Sequence, residues 1–273
     1  MIKHFSIIFL LTAFFSAVAA EKVVSLSPAV TELIIYAGGA DRLCGRSRAC
    51  ESIPQVRHLP VAGDLGKPFA EAVLRSGATL VVSDARHPAA GWDVLRRCGV
   101  KVEILPAEKL DDLPGNLRKI GSRLDCPAAE PLADGIEKKL GDLWNSVPGK
   151  KFRGLIVFGT APLITCGQET FISDAARLAG VENIAGNAGT GYFILSPEFL
   201  ISAAPEVILI IGVPEAAVKE FFSRELYRNI PAVRSGRIIV LDREKWSRLT
   251  PVILDASREL RQQLSGKPHD QLP

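Results

Sequence analysis

Cys166 and Ser196 are the side chains that could act as nucleophiles. The thiol lies in Thr165-Cys166-Gly167 and the hydroxyl in Ser196-Pro197-Glu198. A thiol nucleophile needs a base beside it, and no histidine lies near Cys166 in the sequence. The Gly-x-Ser-x-Gly elbow of serine hydrolases does not occur. The pattern favours an ordinary thiol or half of a disulfide at Cys166 and a helix start at Ser196. An exported hydrolase using either residue is the alternative.

Metal ligands are sparse. His58, His87 and His269 are the histidines beyond the first twenty residues, and nothing clusters with them at ligand spacing. A receptor for bare zinc or manganese needs three or four nitrogen and carboxylate ligands, and a C-x-x-C pair is also missing. Either of the first two histidines, or Tyr192, could ligate a haem iron from one side. We predict no metal site and no cofactor belonging to the protein itself.

Two glutamates occupy matching places ahead of two strands. Phe69-Ala70-Glu71 begins a short helix before the strand at Leu80, and Ser196-Pro197-Glu198 begins another before the strand at Val207. A glutamate in a first helical turn complements the helix dipole, which explains each one taken alone. Their equivalence within a weak internal repeat predicts a shared docking role.

These residues belong to a chain in which short apolar runs alternate with amphipathic stretches, the signature of an α/β architecture. Proline at a first helical position and glycine after a helix mark several boundaries. The predicted strands are Val23–Leu26, Leu80–Val82, Val102–Leu105, Leu155–Phe158, Val207–Ile211 and Ile238–Leu241, and the predicted helices cover 28–37, 92–98, 110–124, 130–147, 171–179 and 251–264.

One long amphipathic helix separates two such α/β units. Its apolar face carries Leu132, Ile136, Leu140, Leu143 and Trp144, and Pro148-Gly149 ends it. We predict two Rossmann-like lobes joined by this single helix, which would act as a stiff strut and allow small rocking rather than wide closure. The predicted divisions are a signal peptide (1–20), an N-terminal lobe (21–126), the interlobe helix (127–148), a C-terminal lobe (149–265) and a disordered tail (266–273).

The first twenty residues are typical of an export signal. Lys3 and His4 precede an almost wholly apolar run over 5–15, and Val18-Ala19-Ala20 offers small residues for cleavage. The run is shorter than the roughly 20 residues that span a bilayer. No cysteine follows it for lipid attachment, so a free periplasmic protein is predicted. With 33 basic and 30 acidic side chains in the whole sequence, a nucleic-acid partner is not indicated.

The predicted export bears on the five cysteines, because an oxidising compartment permits one or two disulfides. An odd number leaves at least one thiol unpaired within a monomer. Pairing depends on distances that only the fold determines. The cysteines are Cys44, Cys50, Cys98, Cys126 and Cys166.

Several segments of the chain carry a family resemblance. Val23-Val24-Ser25-Leu26-Ser27-Pro28-Ala29-Val30-Thr31-Glu32-Leu33 resembles the start of the cobalamin and iron-siderophore binding proteins of ABC importers. The likeness continues through 45–51, 71–82, 158–170 and 246–251. It implies a class III periplasmic binding protein, a monomer without enzymatic activity, that delivers a metal chelate to a permease. Cobalamin or a related corrinoid is the first expected ligand, with a ferric siderophore or haem as alternatives.

The resemblance also implies roles for individual residues. Glu71 and Glu198 match the glutamates that dock into arginine pockets of the membrane subunits. Where cobalamin receptors carry large aromatics, this chain has Ala49, Leu65 and Asp84. The arginines among the implied ligand residues, Arg48, Arg86 and Arg248, suit carboxylates or phosphate on a ligand. The full set of implied ligand-lining residues is Arg48, Ala49, Leu65, Asp84, Arg86, Pro162, Leu163, Tyr192, Trp246 and Arg248. A ligand sensor that docks on a signalling receptor is a further alternative.

Overall fold

The structure is a computed structural model that describes residues 20–85, 87 and 90–266. The predicted signal peptide (1–20) lies almost wholly outside this range, as do the predicted tail beyond Gly266 and the predicted ligand residue Arg86.

The first lobe is built on a six-stranded sheet with the order β4-β3-β2-β1-β5-β6. Every pairing is parallel except that of β3 with β4. Strand β5 is buried along its whole length, as expected for a parallel strand with both faces covered. The strands are β1 (Val23–Ser25), β2 (Leu43–Ser47), β3 (Val61–Asp64), β4 (Lys67–Pro68), β5 (Leu80–Ser83) and β6 (Lys101–Ile104), and the helices are α1 (Pro28–Tyr36), α2 (Ala70–Arg75), α3 (Gly91–Arg97) and α4 (Asp112–Leu124).

Helix α5 (Ala129–Asn145) then crosses to the second lobe. A four-stranded parallel sheet there has the order β10-β7-β12-β13. A separate antiparallel sheet, β11-β9-β8, was not predicted. The strands are β7 (Phe152–Val157), β8 (Gly159–Thr160), β9 (Leu163–Cys166), β10 (Val181–Asn183), β11 (Tyr192–Ile194), β12 (Val207–Ile211) and β13 (Ile238–Leu241), and the helices are α6 (Phe171–Leu178), α7 (Pro197–Ala203), α8 (Glu215–Phe222), α9 (Pro231–Arg234), α10 (Arg243–Trp246) and α11 (Val252–Ser265).

One apolar core runs through both lobes by way of α5. The buried stripe of α5 consists of Ala129, Ala133, Ile136, Leu140 and Leu143, at helical spacing. The same cluster contains side chains of β5 in the first lobe and of β7 and β12 in the second. On α4, an added Cβ at Gly121 would lie 2.3 Å from the Cβ of Ala129, so the two helices pack closely there. The predicted pair of lobes joined by one long helix is confirmed.

The described residues contain no helix with the length and apolar character needed to cross a membrane. All five cysteines fall within those residues, and all five thiols are free. Cys50, Cys126 and Cys166 are buried, Cys44 is half-buried and Cys98 is exposed. The structure therefore contains none of the one or two disulfides that an oxidising compartment would permit among these cysteines.

Because α5 carries the shared core, truncating its stripe should destabilise both lobes together. We expect Leu140→Ala to lower the free energy of unfolding by about 2–5 kcal/mol, the cost of a large buried side chain replaced by a cavity. Exposed Lys138 on the same helix provides the matched control. Lys138→Ala should change the free energy of unfolding by less than about 0.5 kcal/mol. Denaturant unfolding followed by circular dichroism measures both values. Equal stabilities of the two variants, or a second unfolding transition in the native protein, would contradict the shared core.

Candidate functional site: an interlobe cleft

Three strands of the first sheet deliver predicted ligand residues to one edge. Strands β2, β3 and β5 end at Ser47, Asp64 and Ser83, and the next residues are Arg48, Leu65 and Asp84. Parallel strands end at a common sheet edge, where open α/β folds bind their ligands. The sequence prediction that these three residues share one site therefore agrees with the sheet topology.

Charged and apolar groups are combined on this wall. Arg48 lies in a short 3-10 helix (Arg48–Ser52) and pairs with the Asp64 carboxylate at 2.8 Å. Its guanidinium also lies over the Phe69 ring, 5.7 Å from the centroid. Ala49 is exposed, and Leu65 and Phe69 are 42% and 38% exposed. The wall thus offers apolar surface beside a cation that an internal carboxylate already balances.

A buried hydroxyl and thiol cluster supports the wall from below. The Thr31 hydroxyl lies 2.8 Å from Ser25 Oγ and 3.3 Å from Cys50 Sγ, and Ser47 Oγ lies 3.2 Å from the same sulfur. All four side chains are buried. These contacts join the end of β1, helix α1 and the 3-10 helix that carries Arg48, and thus hold that helix in place.

Two loops of the same wall are joined through Gly66. Its N–H donates to the Leu26 carbonyl at 3.0 Å, and its carbonyl accepts from the His87 N–H at 3.1 Å. With φ +61° and a built Cβ only 2.6 Å from the Ala85 carbonyl oxygen, the position favours glycine. The loop after β3 and the loop after β5 therefore form one surface.

The antiparallel sheet of the second lobe forms the facing wall. Tyr192 and Ile194 project from the same side of β11 and are 55% and 69% exposed. The Tyr192 ring contacts the Phe158 ring edge-on at 5.1 Å between centroids. Pro162 is exposed between β8 and β9, whereas Leu163 is buried in the lobe's core. Pro162 and Tyr192 are therefore accessible, as predicted, and Leu163 is not.

Glu169 positions the segment that leads into Tyr192. Its carboxylate accepts a short hydrogen bond from the Gly191 N–H, and the Gly191 carbonyl accepts from the Gly167 N–H at 2.8 Å. The sequence prediction missed Glu169, because its recorded partner is a backbone N–H 22 residues away. The tyrosine thus enters the cleft from an anchored strand rather than from a free loop.

The Asp84 carboxyl of the first lobe affects the pKa of the Tyr192 phenol in the second lobe. Burial raises the pKa of the Asp84 carboxyl, and a hydrogen bond with Ser27 opposes the rise. Although about half of the Tyr192 side chain is exposed, its partial burial raises the pKa of the phenol, and the nearby Cys166 and Asp84 add to the rise. The phenol is therefore protonated at neutral pH and offers the cleft a hydrogen-bond donor.

Trp246 and Arg248 do not present the surfaces expected of ligand contacts. The Trp246 ring is 2% exposed and packs in the shared core, since α10 turns that side chain inward. The Arg248 guanidinium forms a short ion pair with Glu32 and donates to Ser52 Oγ at 2.8 Å. Both partners belong to the first lobe, so Arg248 joins the lobes and is only 11% exposed. These two expectations, like that for Leu163, require correction.

The candidate nucleophiles lack an activating environment. Cys166 is fully buried, and that burial raises the pKa of its thiol and disfavours the thiolate. Ser196 caps α7, where its hydroxyl accepts from the Phe199 N–H at 3.2 Å. In the part of the chain that the structure describes, no group of three His, Cys, Asp or Glu side chains could hold a metal ion. The cleft is suited to binding rather than to acyl transfer.

Both predicted docking glutamates are exposed on first helical turns. The Glu71 side chain on α2 is 84% exposed, and Arg75 lies 3.7 Å from its carboxylate. Glu198 on α7 is also exposed. Helices α2 and α7 run toward the starts of β5 and β12, so their first turns lie toward the edge at which those strands end. That edge is the side of each lobe on which the cleft opens.

Known proteins agree with this architecture. A vitamin B12-binding protein of Pectobacterium carotovorum is 27% identical over 253 residues, covering 90% of this chain and 89% of the relative. A periplasmic haem-binding protein of Pseudomonas aeruginosa is 25% identical with a TM-score of 0.80, over 92% of this chain and 95% of the other. The periplasmic vitamin B12-binding protein of Vibrio cholerae, 23% identical over 89% and 96% of the chains, shares the fold with a TM-score of 0.78. The family model described as periplasmic binding protein matches residues 23–244, and the chain therefore belongs to the periplasmic binding protein family.

Proposed function

We propose that this protein captures a metal chelate between its lobes and presents it to the membrane subunits of an ABC importer. A corrinoid is the first candidate ligand. The carrying observation is that Asp84, which follows β5 on the same sheet edge as Arg48 and Leu65, lies near enough to Tyr192 of the other lobe to raise the pKa of its phenol. Exposed Leu65 and Phe69 on one wall and Tyr192 and Ile194 on the other supply apolar contact area for a broad planar ring.

The chemistry of the cleft favours a ligand whose metal is already coordinated. A bare ion needs several protein ligands, and the described residues contain no such group. The raised pKa of Tyr192 disfavours the phenolate that would bind a haem iron. A corrinoid needs no metal ligand from the protein, and its peripheral amides can bond with Asp84 and the Tyr192 hydroxyl.

Haem is the second candidate. The similarity to the Pseudomonas haem-binding protein supports it, and His87 is exposed in the loop after β5, next to the cleft wall. A neutral imidazole there could ligate the iron from one side. A ferric siderophore is the third, since its iron is also fully coordinated.

We further propose that the protein is a receptor without turnover, works as a monomer and is exported by a cleaved signal at 1–20 without a lipid anchor. The family membership and the inert settings of Cys166 and Ser196 support the first point. Glu71 and Glu198 would dock to the two membrane subunits, because exposed carboxylates on two joined lobes can meet two guanidinium groups.

The ligand is tested by calorimetric titration of the purified protein with cyanocobalamin, cobinamide, haemin and ferric siderophores. We expect stoichiometric binding of a corrinoid and a loss of about tenfold or more in affinity for Tyr192→Ala, corresponding to at least about 1.4 kcal/mol. Tyr36→Ala is the matched control, because Tyr36 is 42% exposed at the far end of α1 and should not affect binding.

If none of these four ligands binds, the chelate proposal is refuted. Haemin binding that His87→Ala abolishes would establish the second candidate instead. Equal affinities of native protein and Tyr192→Ala would show that the ligand occupies another surface.

Docking is tested by transport of the bound chelate into vesicles that contain the importer. Glu71→Ala combined with Glu198→Ala should abolish uptake and leave chelate affinity unchanged, because neither carboxylate lines the cleft. A double variant of two exposed glutamates on other helices, Glu137→Ala with Glu259→Ala, serves as the control and should retain uptake. Full uptake with both docking glutamates removed would contradict the assignment.

A further inference from the structure

Each docking glutamate is followed by the same arrangement of side chains. The sequences are Glu71-Ala72-Val73-Leu74 on α2 and Glu198-Phe199-Leu200-Ile201 on α7. The third residue of each, Val73 or Leu200, is fully buried. The fourth is exposed, 40% for Leu74 and 38% for Ile201. The two helices therefore meet their lobes in the same rotational setting.

This setting places an aliphatic side chain beside each carboxylate. Residues three apart on a helix are surface neighbours, about 5–6 Å apart at Cβ. Glu71 with Leu74 and Glu198 with Ile201 thus form two pairs of one acid and one exposed aliphatic group, which we name the acid–aliphatic pairs. A single exposed leucine is ordinary. An exposed aliphatic side chain that recurs at the same offset from both glutamates is not explained by the packing of either lobe.

The two pairs differ in their electrostatic surroundings. The Arg75 guanidinium lies 3.7 Å from the Glu71 carboxylate, one turn along α2. No ion pair to Glu198 is found among the residues described in the structure. A cation approaching Glu71 has to compete with Arg75, whereas one approaching Glu198 does not. The second lobe should therefore contribute more of the electrostatic part of docking.

We infer that Leu74 and Ile201 are the apolar halves of the two docking contacts, and that the partner presents two equivalent sites, each combining a basic side chain with an apolar recess. That partner is the pair of membrane subunits to which the two glutamates are proposed to dock. The inference rests on the proposed function and adds a contact that the glutamates do not supply. An aliphatic group packed against each ion pair would also exclude water from it and strengthen it.

The test measures binding of the full-length mature protein to the importer in lipid nanodiscs by surface plasmon resonance. Leu74→Ser and Ile201→Ser should each weaken docking about tenfold, and together about a hundredfold. Leu226→Ser is the matched control, since Leu226 is 58% exposed elsewhere on the second lobe. Chelate affinity measured in parallel should be unchanged in all variants, which also verifies that each one folds.

Two further measurements separate the roles of the groups. The loss from Leu74→Ser or Ile201→Ser should be the same in 50 and 500 mM salt, whereas the loss from Glu198→Ala should shrink in high salt, at about the ionic strengths where surface charges are screened. Arg75→Ala should tighten docking about two- to threefold, and the gain should vanish when Glu71→Ala is also present.

Docking that needs the glutamates but tolerates both serine variants would overturn this inference and leave the proposed function intact. Docking that tolerates removal of both glutamates would overturn their proposed role, and native protein that does not bind the importer would overturn the proposed function itself. Serine variants that weaken docking no more than Leu226→Ser does would also contradict the inference.

Discussion

The burial of one helical stripe in a core common to both lobes determines the rest of the molecule. Since the apolar side of α5 belongs to one buried cluster with residues from both lobes, separating the lobes would expose apolar surface of that cluster to water. Polar links also join the lobes elsewhere, from Arg248 to Glu32 and Ser52 and from the Leu110 N–H to Asp174 at 3.3 Å. The cleft walls are thus held near their final spacing before any ligand arrives, which reduces the ordering cost of binding.

The parts of the fold that sequence predicts are those with strong local patterns. Buried parallel strands such as β5 and β12 are continuous apolar runs, and prolines at 28 and 197 mark where helices begin. The apolar residues of α5 recur at helical spacing along its whole length, so the sequence predicts a single helix there. The antiparallel sheet was missed because strands of two to four residues, such as β8 and β9, contain too few residues for an alternation to stand out.

Prediction of residue positions agrees with the structure where topology alone decides them. Arg48, Leu65 and Asp84 each follow one of the mutually parallel strands of a single sheet, and strand order brings them to one edge. It failed where the direction of a side chain decides. Trp246 lies in a four-residue helix whose inward face no periodicity reveals, and Arg248 is paired with a glutamate 216 residues away. Such pairs arise from the fold and leave no local mark in the sequence.

Among the described residues of the cleft, charges are largely balanced within the protein. Asp64 compensates Arg48, while burial disfavours ionisation of both Asp84 and Tyr192. A pocket of this kind gains little from the net charge of a ligand and more from its shape, apolar area and hydrogen-bonding edge. A metal whose charge is neutralised by its own organic ring meets that requirement, whereas a hydrated ion does not. Under the proposed function, capture depends on shape, whereas delivery uses the exposed carboxylates on the first turns of α2 and α7.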